Sequence, residues 1–397
     1  MKAGLIAALL LTLTSPASAF AQSPAPDPMA FWSEQRRGAN FFNEIETEQR
    51  IADAASAGLE FIRLTPSKWR DEAGQGLFGD LTTPYEGLNP ALTTHLIAML
   101  DAAQTHDIKV VLTLLDMPCM YGRQGDDPDT AAALWRDEAC LDETAAAWTD
   151  LAAAVAAHPA LVGFNPMNEP QPAPALAEIE AAGDDFNAFV ETHRGTAADL
   201  DAFNARMITA IRSVDSTTPI HLEPDLYAAP AALTAMAPVE DPRVLYSVHL
   251  YPSWLYGTHR ANQGRFSYPD AMPINWNGDT ERWEEDRLCA LMTPVMDWAE
   301  AHQIPREQLV VSEFGVSRRV EGAQAYMRDM VDCLETHDLH WAFYAYREDS
   351  WDEMDYELAP DAPAWAPSHT DEAGYRIKNW EPTALYQLLD QHLTPEP

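Results

Sequence analysis

Glu169 and Glu313 each close a short apolar run. Asn165-Pro-Met-Asn168-Glu169-Pro170 ends one such run, and Leu309-Val-Val-Ser-Glu313-Phe-Gly315 carries the other. Two carboxyls at the ends of two buried strands suit acid/base chemistry. Splitting a glycosidic bond needs such a pair, one member to protonate the leaving oxygen and the other to attack the sugar carbon or activate a water. Glu313 lies between Val310-Val311 and Phe314-Gly315. A carboxylate in that setting must be neutral, ion-paired or placed at a cleft, because an unpaired buried charge is costly. Strand alternation predicts Val311, Glu313 and Gly315 on one face. Pro170 restricts the backbone at Glu169, and Asn168 can donate to a substrate hydroxyl or orient a carboxylate.

Two further segments carry polar residues where an apolar strand is expected. In Val244-Leu-Tyr-Ser-Val-His249-Leu-Tyr251-Pro252 the period of two places Ser247, His249 and Tyr251 on one face. A lone buried His is more often a satisfied core residue, but a His and a Tyr stacked beside two glutamates predict a network that sets protonation states. Arg63, in Phe61-Ile62-Arg63-Leu64, needs an anionic partner if buried, and one of the two glutamates is the natural candidate.

Positioning these groups requires a regular frame. Short β-branched or aromatic runs are predicted as strands at 37–42, 61–66, 110–115, 161–167, 220–224, 244–251, 309–314 and 341–346. Between and after them lie helical patterns at 47–57, 90–106, 144–157, 200–214, 282–302, 323–337 and 382–393. Eight strands alternating with helices predict an α/β fold of one closed (β/α)8 TIM barrel, whose active site sits at the C-terminal strand ends. Arg63, Asn168, Glu169, Glu223, His249, Tyr251 and Glu313 all fall there. A doubly wound open sheet is the alternative, but Arg37-Gly-Ala-Asn-Phe-Phe42 lacks the Gly-rich phosphate turn such sheets usually carry.

The connections after strands three, four, six and eight are extended. They hold Tyr121 and Trp135, then Trp254, Tyr256, Trp276 and Trp283, then Trp351, Trp365 and Trp380. These aromatics either pack over the barrel rim or stack on sugar faces, with Trp254, Trp276 and Trp351 the chosen candidates for stacking.

Met1-Lys2, the apolar run from Leu5 to Leu13 and Ala19-Phe20-Ala21 read as a signal peptide over 1–21. Residues 22–30 are expected to be an extended lead-in, and 31–397 one catalytic barrel without an appended module. The protein is thus expected to be secreted or periplasmic and monomeric. No run approaches the roughly 20 apolar residues of a membrane helix. A net charge of -37 argues against nucleic acid and anionic membranes as partners. Cys119, Cys140, Cys289 and Cys333 allow three disulfide pairings; the favoured one joins Cys119 to Cys140 and Cys289 to Cys333. Their spacing does not suit zinc.

Arg63 in strand two, Asn168-Glu169-Pro170 after strand four, Tyr246-Ser-Val-His249-Leu-Tyr251-Pro252 in strand six and Ser312-Glu313-Phe-Gly315 in strand seven together resemble glycoside hydrolase family 5. The resemblance covers essentially the whole mature chain. It implies a retaining hydrolysis of β-linked polysaccharide or oligosaccharide, with Glu169 as general acid/base and Glu313 as nucleophile. By the same resemblance Asn168 would hold the sugar 2-hydroxyl, Arg63 would keep Glu313 ionised, and His249 with Tyr251 would orient the pair. No metal or cofactor is called for. Two positions depart from the family pattern. Leu115 stands near where many members carry a histidine, and Tyr344 aligns with a tryptophan that lies under the sugar. Cellulose-like β-1,4-glucan is the leading expected substrate, followed by β-mannan, β-1,3-glucan and short-chain exo-action. A catalytically silent sugar-binding barrel and glycosyl transfer to another sugar are the other readings.

Overall fold

The computed structural model describes residues 27–393 apart from 44–45, 121–131, 178, 180, 252, 275–276 and 363–382. The expected signal peptide lies outside these residues.

Eight parallel strands close into a barrel in the order of the chain: β1 Arg37–Phe41, β2 Phe61–Leu64, β3 Lys109–Thr113, β4 Leu161–Asn165, β5 Ile220–Leu222, β6 Val244–Leu250, β7 Leu309–Phe314 and β8 His340–Phe343. Every strand pairs with its sequence neighbours, and β8 returns to β1 through Arg37 opposite Trp341. The TIM barrel expected from the sequence is therefore the fold. All strands but β7 stop short of their predicted ends, because the next residues leave the ladder to build the cleft. Phe42 donates its amide to Glu348, Leu115 to the Ser67 hydroxyl and Glu169 to Glu223.

The barrel floor is an apolar cluster of Phe61, Val111, Val162, Leu245, Val310 and Ala342, closed from below by Trp32. Trp32 sits on a 3-10 helix, Pro28–Ser33, whose N-cap Asp27 accepts the Met29 amide. The lead-in predicted to be extended as far as Ala30 is thus helical from Pro28. A proline at the first helical position and an Asp just before it favour that turn.

Around the barrel run α1 Glu48–Ser56, α2 Pro90–Thr105, α3 Glu138–Val155, α4 Leu200–Arg212, α5 Thr293–His302, α6 Ala323–Thr336 and α7 Ala384–Leu393. Thr47, Asn89, Asp137 and Asp199 cap the first four through their side-chain oxygens, each cap worth about 1 kcal/mol. The Asp137 cap starts α3 well before the predicted Thr144. A second correction concerns the segment expected to be helical from Arg282. Thr280–Trp283 instead pairs antiparallel with Asp270–Pro273, and helix resumes at Glu285–Cys289 and α5. Most residues of that hairpin are exposed, so it lacks the apolar alternation that marks a strand in sequence.

The predicted common face of Val311, Glu313 and Gly315 is not observed. Register against β6 slips between Val248–Val311 and His249–Glu313, a bulge that turns both Ser312 and Glu313 inward while Val311 packs in the outer core. Bulges of this kind re-aim side chains near active sites. Just beyond, Gly315 is required by close packing: a Cβ there would stand 2.7 Å from the Tyr344 carbonyl and the Tyr356 hydroxyl.

Both disulfides form as favoured, Cys119–Cys140 tying the connection after β3 to the first turn of α3 and Cys289–Cys333 tying the helix Glu285–Cys289 to α6. With sequence separations of 21 and 44, each restrains the unfolded chain by about 3–4 kcal/mol.

Candidate active site

Above the apolar floor the barrel interior becomes polar. Arg63 rises from β2, fully buried, and its guanidinium is shared among strands. Nη1 donates to Asn40 Oδ1 at 3.1 Å and to Glu313 Oε1 at 2.5 Å. Nη2 donates to Asn165 Oδ1 and Asn168 Oδ1, both at 2.7 Å, and to Glu223 Oε1 at 2.8 Å. The predicted anionic partner of Arg63 is therefore two carboxylates rather than one. Asn40, Thr113 and Asn165, given no role from the sequence, hold this cation in place, and Thr113 donates to Asn165 Oδ1 at 2.5 Å. Their signal was an uncharged polar residue in an otherwise apolar strand.

Glu169 follows β4 in a left-handed backbone conformation, φ 52°. That region is costly for a residue with a Cβ and clusters at functional sites. Its amide donates to Glu223 Oε2 at 2.7 Å, and the Asn168 amide donates to Leu114 O at 2.8 Å, so the turn is held from both neighbouring strands. Asn168 accepts Arg63 through Oδ1, which fixes Nδ2 as its donor end.

His249, on β6, stands between the acids. Nδ1 is 3.0 Å from Glu169 Oε1 and 3.7 Å from Glu313 Oε2. Nε2 is 3.3 Å from Glu223 Oε1 but off the line of a hydrogen bond, so that contact is an ion pair. Tyr251 donates its hydroxyl to Glu313 Oε2 at 3.0 Å. The face predicted for Ser247, His249 and Tyr251 is observed, with Ser247 deepest, 3.4 Å from His221 Nδ1.

Oxygens of Glu169 and Glu313 and Nδ1 of His249 lie within 4.8 Å of one another. Burial pushes His249 down, but the charges of Glu313 and Glu223 outweigh it and raise the imidazole to about 10. As an imidazolium the ring offers its Nδ1–H to Glu169 as a donor. Burial would raise Glu223, yet His249 and Arg63 bring it down to about 2. At Glu313 burial prevails: the carboxyl is raised despite His249 and Arg63, because Glu169 and Glu223 add like charge. This corrects the expectation that Arg63 lowers the Glu313 carboxyl and so keeps it ionised: Arg63 does pull it down, but burial and the neighbouring carboxylates outweigh that pull.

Tyr344, just after β8, is buried edge-on against Phe42, and its hydroxyl accepts from Asn43 Nδ2 at 2.6 Å. The Tyr344–Ala345 peptide is cis. Leu115 is buried in the apolar core and brings no imidazole to the cleft. Of the loop aromatics, Trp254 is exposed and Trp351 half-buried, and they flank one guanidinium, that of Arg260, at 5.6 and 4.8 Å. Trp135 and Trp283 are buried instead, the first against Phe203 and the second beneath Arg287. Tyr256 is also buried, its hydroxyl donating to Glu321 O. Tyr121, Trp276, Trp365 and Trp380 lie outside the described residues. One exposed aromatic was not singled out in sequence. Tyr227 follows β5 in the left-handed turn Leu226–Ala228 and donates its amide to Pro170 O, next to Glu169.

A closed parallel barrel with a carboxylate pair, an imidazolium and an arginine converging above its strand ends is a barrel enzyme equipped for acid/base bond cleavage. Residues 27–350 match the family described as Cellulase (glycosyl hydrolase family 5), and the chain belongs to that family. It is a β-glycoside hydrolase. Among solved structures, the endoglucanase Cel5A of Pseudomonas stutzeri superposes with a TM-score of 0.59 at 17% identity, over 90% of this chain and 94% of that one. Thermotoga maritima Cel5A in complex with mannotriose superposes with a TM-score of 0.61 at 14% identity, over 91% and 100%. The cellulose synthase subunit Z of Clostridioides difficile does so at 0.57 and 15%, over 83% and 97%. At such identities the likeness is one of fold. No curated protein sequence matches the chain.

Proposed function

We propose that this glycoside hydrolase is an exported, retaining enzyme that cleaves β-1,4-glucan internally by double displacement. The observation that carries the mechanism is the approach of Glu169 and Glu313 oxygens to within 4.8 Å across His249. Retaining enzymes hold their carboxyls about 5–5.5 Å apart, whereas inverting ones leave about 6.5–9.5 Å for a water. Glu313 Oε2 attacks the anomeric carbon while the bond to the leaving oxygen breaks and Glu169 protonates that oxygen. Water then attacks the glycosyl ester, giving its proton to Glu169 and releasing Glu313.

The neighbouring charges and donors support these roles. Three carboxylates, Glu169, Glu223 and Glu313, face two cationic partners, Arg63 and His249. Both Glu313 oxygens accept donors, from Arg63 and Tyr251, and such bonds favour the charged form. Glu313, held by that pair of donors, is oriented for attack, and the role of proton donor falls to Glu169. Asn168 donates through Nδ2 to the sugar 2-hydroxyl, and Tyr344 forms the wall beneath the sugar, with Trp254 and Trp351 offering rings along the rim.

Export is supported by the N-terminal apolar run and by the pairing of all four cysteines, since disulfides persist in oxidising compartments. For β-1,4-glucan the support is the endoglucanase name borne by several structures of the same fold. The test is product analysis on soluble β-1,4-glucan, β-1,3-glucan, mannan and xylan, beside Glu313→Ala, with the anomer of the first product read by NMR. Short β-configured oligosaccharides from β-1,4-glucan alone, absent with the variant, are expected. An α-configured product overturns the mechanism, and cleavage of mannan or β-1,3-glucan instead overturns the substrate.

A further inference from the structure

Glu223 has no part in the two displacement steps, yet it is buried, ionised and bonded to three groups of the site. Its Oε2 accepts the Glu169 amide at 2.7 Å; its Oε1 takes Arg63 Nη2 at 2.8 Å and pairs with His249 Nε2 at 3.3 Å. Ser312 Oγ approaches the same oxygen at 3.4 Å. A carboxylate held away from water needs partners of this kind, and replacing an ion pair of such geometry by apolar residues is often no loss to stability. Packing therefore gives no reason for a third acid on the strand between those that carry Glu169 and His249.

We propose that Glu223 is a positioning residue for the acid/base: it pins the left-handed backbone at Glu169 through the amide and sets a negative charge against His249 Nε2, opposite the ring nitrogen that faces the two catalytic acids. This rests on the assignment of Glu169 as acid/base and Glu313 as nucleophile. The two parts of the role use different oxygens. Through Oε2, Glu223 holds a conformation that residues with a Cβ avoid, so that the Glu169 side chain leaves the strand end toward the cleft. Through Oε1, it balances His249 and Arg63. The charged and titratable groups facing it are Arg63 from β2, Glu169 after β4, His221 from its own strand, His249 from β6 and Glu313 from β7. Of these, His221 is neutral, because burial and the Arg63 charge hold it down to about 3. Removing one negative charge from this group lowers the proton affinity of every remaining member.

The substitutions Glu223→Gln and Glu223→Ala separate the two parts. Gln keeps an acceptor for the Glu169 amide but loses the charge. The alkaline limb of kcat/KM against pH should then move down by about one unit, the usual effect of one nearby charge. Ala loses both, and hydrolysis of substrates with poor leaving groups should fall by a further 10- to 100-fold or so relative to activated aryl glycosides, as expected when proton donation is misaligned. An unshifted limb in folded Glu223→Gln overturns the inference. The wild-type imidazole gives a second readout that no variant's folding can spoil. The 15N shifts of His249, assigned by their loss in His249→Gln, should report a protonated ring at pH 8, and a neutral ring there overturns the charge role. Full activity of Glu313→Ala in the same assays would instead remove the assignment on which the inference rests.

Discussion

Arg63 and Glu313 meet at 2.5 Å across the barrel although 250 residues separate them in the chain. The same guanidinium holds Glu223, Asn165 and Asn168, so one side chain ties together β2, β4, β5 and β7 at the level where the cleft begins. Lysine cannot reproduce this, since an ammonium offers a point charge where a planar fork is needed. Arg63→Lys should fold with a lowered Tm and lose about 100-fold or more in kcat, a loss typical of misplaced catalytic groups. Near-wild-type kcat in a folded Arg63→Lys protein would show that alignment of Glu313 does not depend on the fork.

Azide separates the two proposed catalytic acids by stereochemistry. In Glu313→Ala the vacated space is on the α face of the sugar, so azide should restore turnover of an activated aryl β-glycoside and yield the α-glycosyl azide. In Glu169→Ala the proposed covalent intermediate should still form, and azide should give the β-glycosyl azide. Glu169→Ala should also slow poor leaving groups far more than activated ones, because only the former need a proton. Product NMR showing the opposite anomers would exchange the two roles.

Acid should unfold this protein through the floor of its barrel. Burial, with the Arg63 charge, holds His221 down to about 3, and burial holds His340 down to about 4. Both rings pack edge-on against Trp32. In the unfolded chain each takes a proton near pH 6.5, so their contribution to stability is complete above that value and is lost as pH falls through about 4 and 3. Asp225, raised by burial to about 7, works the other way and partly offsets the loss. On the alkaline side His249, raised to about 10, contributes stability that is complete below pH 6.5 and lost as pH climbs through 10. Tm measured from pH 3 to 8 for wild type and His221→Gln should converge toward low pH. Parallel curves would exclude His221 as a source of the acid sensitivity.

Trp32 closes the barrel from below with its indole nitrogen donating to Val162 O at 2.9 Å. Trp32→Ala should cost about 3–5 kcal/mol, the range for deleting a large buried ring. The polar layer and the cleft lie above the floor, so kcat of the folded variant at low temperature should stay within a few-fold of wild type, as a stability effect requires. Urea titration and steady-state rates check the two halves separately. A large fall in kcat at unchanged stability would mean that the floor acts on the chemistry.

Periodicity alone was enough for eight strands, their helices and the ends at which Glu169, His249, Tyr251 and Glu313 gather, because an apolar run and its polar terminus are local properties of the chain. The disulfide pairs also followed, since each joins segments that neighbouring strand-helix units bring together. Other features had no local mark. The hairpin at Asp270–Pro273 and Thr280–Trp283 is mostly exposed, and Trp135 and Trp283 read like rim aromatics yet are buried. Alternation placed Val311 with Glu313, but the bulge against β6 broke the count. Above all, the protonation pattern belongs to the assembled barrel. Glu223 closes a short strand in sequence much as Glu169 closes another, and only tertiary contact joins it to Arg63, His249 and the Glu169 amide. Residue types are fixed one position at a time, whereas the field at a carboxyl is set by charges that closure of the barrel brings within a few ångströms.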